Sequence, residues 1–207
     1  MNKKIIDSFI KKNFYKINET KSNKTMLLID RGIAESAIMN SFFIYMVNKN
    51  FKYNVDLLNY HSLDHPITKI YKSFGIKKII NINIKNNLNN IILLLKTHFY
   101  FFISLIKLFV LGKSWFIKKF KHMDIYFGDI IYDEYIRNNH NFLRKNLLNL
   151  EFLKILFISI YKINFFFNLF KKKEYSYVLS PTHTYASNSA IGMRIALKNK
   201  IKVLNIL

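Results

Sequence analysis

The sequence predicts an α/β domain on a largely parallel sheet flanked by long helices, and three observations carry that expectation. Short runs rich in Val, Ile and Leu alternate with longer stretches of helical periodicity, as expected of strands joined by crossover helices. Apolar residues make up 51% of the 207 residues and aromatics 16%, which is enough for a sizeable core. Glycine and proline number only five and two, so each is read as marking an element boundary.

Taken in order, residues 1–24 form a basic segment. Its scattered lysines and lack of a continuous apolar run exclude a secretory signal. Residues 25–207 are then read as one α/β domain. Residues 25–30 (TMLLID) make a compact strand ending in a charge, and 33–48 a helix with Ile38, Phe42, Tyr45 and Met46 on one side. Residues 53–60 are a second strand. Residues 65–74 form a short helix opened by Pro66 and stopped by Gly75. Residues 78–82 are a third strand. Long helices are expected over 88–111 and 143–170, on either side of a short strand near 124–127. A strand at 175–179, a helix at 187–199 and a strand at 202–206 complete the pattern.

The formal net charge of +21 invites a nucleic-acid partner, but it is built from twenty-nine lysines and only four arginines, Arg31, Arg137, Arg144 and Arg194. Arginine's planar fork is the better reader of phosphates and base edges. The lysines are spread over every helix, which fits AT-rich codon usage and an anionic lipid surface better than nucleic acid. Without cysteine there is neither a disulfide nor a thiolate metal site, which fits a reducing compartment. The apolar stretches 91–111 and 152–170 are interrupted, the first by Lys96, His98 and Lys107 and the second by Lys154, Lys162 and Asn164. They therefore read as helices lying along a membrane surface, or as core helices with snorkelling lysines, rather than as spans.

In open α/β sheets ligands bind at the carboxyl ends of strands, and three polar clusters follow predicted strands. They are Asp30-Arg31-Gly32 with Glu35, Gly128-Asp129 through Arg137, and Ser180 through Tyr185. The second is the densest, and on a helix Asp129, Asp133 and Arg137 would share one face. Each has an ordinary alternative: a cap or surface ion pair for Asp129 and Asp133, a tight turn at Asp30, a helix cap at Thr182 or Thr184, a satisfied histidine at His183. His61 and His65 lack a third ligand, so no metal site is expected. No P-loop, dinucleotide fingerprint or nucleophile elbow occurs.

The run Gly128-Asp129-Ile130-Ile131-Tyr132-Asp133 through Arg137, then Ser180 to Tyr185 and Arg194-Ile195-Ala196-Leu197, resembles the amino-terminal half of capsule and surface-polysaccharide biosynthesis proteins. These are glycosyltransferase-like, with two facing Rossmann-type domains (the GT-B arrangement). The resemblance covers residues 25–207 and implies the acceptor-side domain of an enzyme moving a sugar from a nucleotide-sugar to a lipid-linked acceptor. It implies no cofactor beyond that donor, and a cytoplasmic, peripheral place on the inner face of the plasma membrane. The second domain, which would hold the nucleotide-sugar, is not in this sequence, so the expectation is a truncated or split half, inactive unless another chain completes it. On that reading Asp129 or His183 serves as base and Asp133 orients. Arg137 pairs with an acid or contacts the acceptor, and Tyr132 and Tyr185 stack on a sugar ring. Asp30, Arg31 and Glu35 complete the substrate-binding set. The competing expectation is a non-catalytic basic module for a membrane surface or nucleic acid, or a remnant.

Overall fold

The structure, a computed structural model, describes residues 8, 24–30, 34–60, 65–74, 76, 78–82, 90–139, 147–180 and 187–205. Within the span read as one domain, the chain forms two compact units. One contains residues 1–86, 174–181 and 202–207, and the other residues 87–173 and 182–201.

The first unit is the α/β body. Strands β1 (Thr25–Ile29), β2 (Asn54–Asn59), β3 (Ile79–Asn81), β6 (Tyr177–Ser180) and β7 (Lys202–Asn205) form a five-stranded sheet in the order β3-β2-β1-β6-β7. Every pairing is parallel, so the expected sheet is present and is compatible with a Rossmann-like fold. β1 lies at the centre, and all five of its residues are buried, which is why it reads as an unbroken apolar run instead of alternating. Helices α1 (Ala34–Phe51) and α2 (Pro66–Ser73) belong to this unit. Ala37, Ile44, Ile67, Ile70 and Phe74 from the helical segments close over Met26, Leu28, Leu57 and Leu179 of the strands. α2 starts where Pro66 predicts, and His65 caps it, its Nδ1 accepting from the Ile67 N–H at 3.3 Å.

The second unit lies between β3 and β6 in sequence and continues after β6. It holds α3 (Ile91–Lys119), α4 (Gly128–Asn139), α5 (Leu150–Lys172) and α6 (Ser187–Lys198), with a hairpin of β4 (Lys121–His122) and β5 (Ile125–Tyr126). α3 and α5 begin later than their apolar periodicity suggests because asparagines cap them. Asn90 Oδ1 accepts from Leu93 N–H at 3.2 Å, and Asn149 Oδ1 from Phe152 N–H at 2.9 Å. α3 breaks at Gly112, whose φ of 77° and ψ of 179° suit glycine alone, and then resumes to Lys119.

The strand expected near 124–127 needs correction. It is not a member of the parallel sheet but one arm of an antiparallel pair, with Lys121 opposite Tyr126 and His122 opposite Ile125. Met123 and Asp124 both take positive φ, 50° and 62°, giving the doubly left-handed turn that joins two-residue hairpins. Met-Asp carries none of the Asn-Gly signal that marks such turns, which is why the hairpin was not anticipated.

Candidate functional site

The sheet of the first unit grows outward from β1 in two directions: β2 and β3 on one side, β6 and β7 on the other. The point of reversal lies between β1 and β6, and in open α/β sheets that is where a crevice forms for ligands. Met26, Leu27 and Leu28 of β1 pair with Tyr177, Val178 and Leu179 of β6. The two strands therefore end side by side, at Asp30 and Ser180. The segments that follow them in sequence carry Arg31 and Glu35 on one side, His183 and Tyr185 on the other. Arg31, His183 and Tyr185 and the Glu35 side chain lie outside the described residues.

Asp30 itself is enclosed, at 2% exposure. Its N–H donates to Leu58 O at 2.9 Å, and its Oδ1 accepts from the Tyr71 hydroxyl at 2.6 Å. Asn40 Nδ2 in turn donates to the Tyr71 oxygen at 3.0 Å. Burial, with the Asp30 charge and hydrogen bond beside it, pushes the Tyr71 phenol far above its usual range, so it remains a donor. At the end of β2, Asn59 Nδ2 donates to Thr68 Oγ1 at 2.5 Å. These bonds fasten α1 and α2 to the strand ends, and the polar edge of the sheet is held in place by its own helices.

The cluster on α4 lies in the second unit and is occupied by ties to its neighbours. Arg194 of α6 grips Asp129 bidentately, Nη1 to Oδ1 at 2.8 Å and Nη2 to Oδ2 at 2.5 Å, and also donates to Tyr126 O at 2.7 Å. Burial opposes ionisation of Asp129, but the hydrogen bonds and charge of Arg194 outweigh it and hold the carboxyl below the ordinary aspartate range. A carboxylate so held is a weak general base. Asp133 accepts from Arg137 Nε at 2.8 Å, one turn along the same helix. Glu134 reaches the nearly buried Lys162 of α5 at 3.9 Å, and burial pushes that ammonium's pKa down while Glu134 opposes the shift. Asn149 Nδ2 donates to the Tyr135 hydroxyl at 2.6 Å. Tyr132 lies under Lys113, whose Nζ is 4.8 Å from the ring centroid.

Three features were missed in the sequence. Arg194 was noted only as part of a motif, yet it is the partner of Asp129. The signal was arginine's rarity: in a chain that uses lysine almost everywhere, both arginines among the described residues, Arg137 and Arg194, pair with aspartates. Asp56 was passed over inside the apolar run of β2. Its Oδ2 accepts from the Tyr175 hydroxyl at 2.9 Å and lies 3.5 Å from Lys78 Nζ. The third is a buried network in the second unit. His122 Nε2 bonds Asn164 Oδ1 at 2.9 Å, Asn164 Nδ2 donates to Thr97 Oγ1 at 3.3 Å, and Tyr100 meets the imidazole edge-on at 4.3 Å. Since Asn164 Oδ1 can only accept, Nε2 carries the proton.

Burial lowers the pKa of His122 from the usual 6.5, Asn164 opposes the shift, and Lys96 adds to it. A depressed histidine lets the unfolded chain take up the proton first, so its stabilising contribution is full above 6.5 and is lost as pH falls toward the folded value. The urea midpoint should therefore fall between about pH 7.5 and about pH 5, and His122→Gln should flatten that slope. A slope unchanged in the variant would place the titration elsewhere.

Among the described residues no group of His, Asp or Glu could hold a metal ion. One helix, Ile91–Lys119, is long and apolar enough to cross a membrane by length and composition, and 22% of its most apolar window is buried in the structure. No protein family, curated protein or solved structure matches the chain.

Proposed function

We propose that the chain is the acceptor-side α/β part of a membrane-associated, glycosyltransferase-like protein of surface-polysaccharide assembly. It takes a saccharide acceptor at the carboxyl edge of its sheet, while a nucleotide-sugar is held by a second domain or partner chain. The observation that carries this reading is the strand order. Reversal between β1 and β6 sets the ends of those two strands together, and the segments following them carry Arg31, Glu35, His183 and Tyr185. Arg31 and Glu35, which follow β1 in sequence, are the candidate hydroxyl-binding groups at this edge; the roles of His183 as base and Tyr185 as stacking ring come from the resemblance alone. Asp129, already engaged by Arg194 of α6, supports transfer by keeping α4 in place, while Asp133 and Arg137 pair with each other along α4 and add to the helix alone.

The competing reading, a non-catalytic basic module at a membrane surface, is favoured by one specific observation. The Asp129, Asp133, Tyr135 and Arg137 side chains of α4 are engaged by contacts inside the protein. Saturation-transfer NMR with short oligosaccharides separates the two readings. The glycosyltransferase-like reading expects a saccharide signal that weakens about tenfold or more in His183→Ala and Tyr185→Ala. Saccharides and nucleotide-sugars that give no signal at all would leave the binding-module reading standing.

A further inference from the structure

We propose that the outward face of α3 between Ile91 and Gly112 is a bilayer-docking surface that lies in the plane of an anionic membrane. This rests on the membrane-associated part of the reading above and is independent of its sugar chemistry. Ile92, Leu95, Phe99, Phe102, Ile106 and Phe109 recur at alternating steps of three and four, so they form one continuous stripe about 100° wide on the helix. All six are between 60% and 80% exposed. Single exposed apolar residues are common on protein surfaces, but a contiguous stripe of this size signals an occupant.

The opposite side of the helix is already used. Leu93, Thr97, Ser104 and Leu108 are buried within the second unit, where α3 packs against α5. Thr97 there joins the His122–Asn164 network. A helix that is packed and polar on one side and bare and apolar on the other suits an interface between water and lipid. Crossing the bilayer would instead carry that packed, polar side into hydrocarbon. From Ile92 to Phe109 the stripe runs about 26 Å, ending one turn before the Gly112 break.

Charge selects the occupant. Between Ile91 and Lys119 there is no acidic residue and there are five lysines, Lys96, Lys107, Lys113, Lys118 and Lys119. Lys96 and Lys107 fall on the same flank of the stripe, placed for their ammonium groups to reach headgroups while the stripe enters the acyl boundary. Each lysine near an anionic surface is favourable. A second copy of this chain carries the same formal charge of +21 and would be repelled from this face.

The test uses the full chain with phosphatidylcholine vesicles made with and without phosphatidylglycerol, at physiological salt. Binding is expected on the anionic vesicles. It should weaken about tenfold or more in Phe102→Asp/Phe109→Asp, with the circular-dichroism melt unchanged because both side chains are exposed. Depth is read in a Trp115→Phe background by quenching from brominated lipids, with Leu95→Trp, Phe102→Trp and Phe109→Trp made singly. Equal, shallow depths at all three positions are expected. Undiminished binding of the double aspartate variant would overturn the proposal. So would depths graded along the helix, which mean a span. So would failure to bind vesicles together with a dimer that the aspartates dissolve, which means a second copy. Vesicle binding and saccharide binding are read separately, so either can fail without the other.

Discussion

Gly128→Ala is expected to cost about 3 kcal/mol or more of stability and to lower the melting temperature by roughly 10 °C. A Cβ at this first residue of α4 would overlap the backbone carbonyl oxygen of Phe116 and lie 3.0 Å from that of Ile117. Backbone cannot rotate aside as a side chain can, so the start of α4 and the last turns of α3 would have to separate. That separation would loosen a tightly packed place: Phe116 is fully buried, stacks on Phe120 at 4.7 Å and meets Phe152 edge-on at 5.2 Å. Gly112→Ala is the control, because its Cβ would meet nothing within 4 Å. Only the positive φ would be strained there, at about 1–3 kcal/mol. A melt of Gly128→Ala within a degree or two of wild type would refute the close approach.

Tyr71→Phe should cost about 2 kcal/mol in urea denaturation. The substitution removes the short hydrogen bond to the buried Asp30 carboxylate and the acceptor used by Asn40, while ring packing is kept. It takes a donor from a charge that water barely reaches, and charge-assisted bonds of this kind are stronger than neutral ones. Asn40→Ala should cost less, since Tyr71 would still donate to Asp30. The two costs should not add, because both substitutions act on one network. A loss below about 0.5 kcal/mol for Tyr71→Phe would mean that the edge of β1 is not held this way.

Most of the α/β body was legible in the sequence because its signals are local. TMLLI of β1 is an unbroken apolar run, Pro66 marks the start of α2, and the periodicity of 187–199 matches α6. What could not be read depends on partners distant along the chain. Nothing near Asp129 in sequence points to Arg194, sixty-five residues away. Nothing near Asp56 points to Tyr175. The densest polar cluster therefore read as chemistry, while the structure gives several of its members bonds that hold α4 to α5 and α6. Its glycine likewise has a packing reason. The caps Asn90 and Asn149 were obscured by composition, since asparagine is abundant throughout the chain. The exposed stripe on α3 looked the same as a core face, because periodicity marks an apolar face without saying what covers it.

The central claim is a ligand site at the carboxyl edge where β1 and β6 meet, and amide chemical-shift mapping during a saccharide titration tests it most directly. Shifts are expected to concentrate at the ends of β1 and β6, over residues 30–35 and 178–181, with α4 and β3 unmoved. Shifts confined to residues 128–137, or none at saturating saccharide, would contradict it.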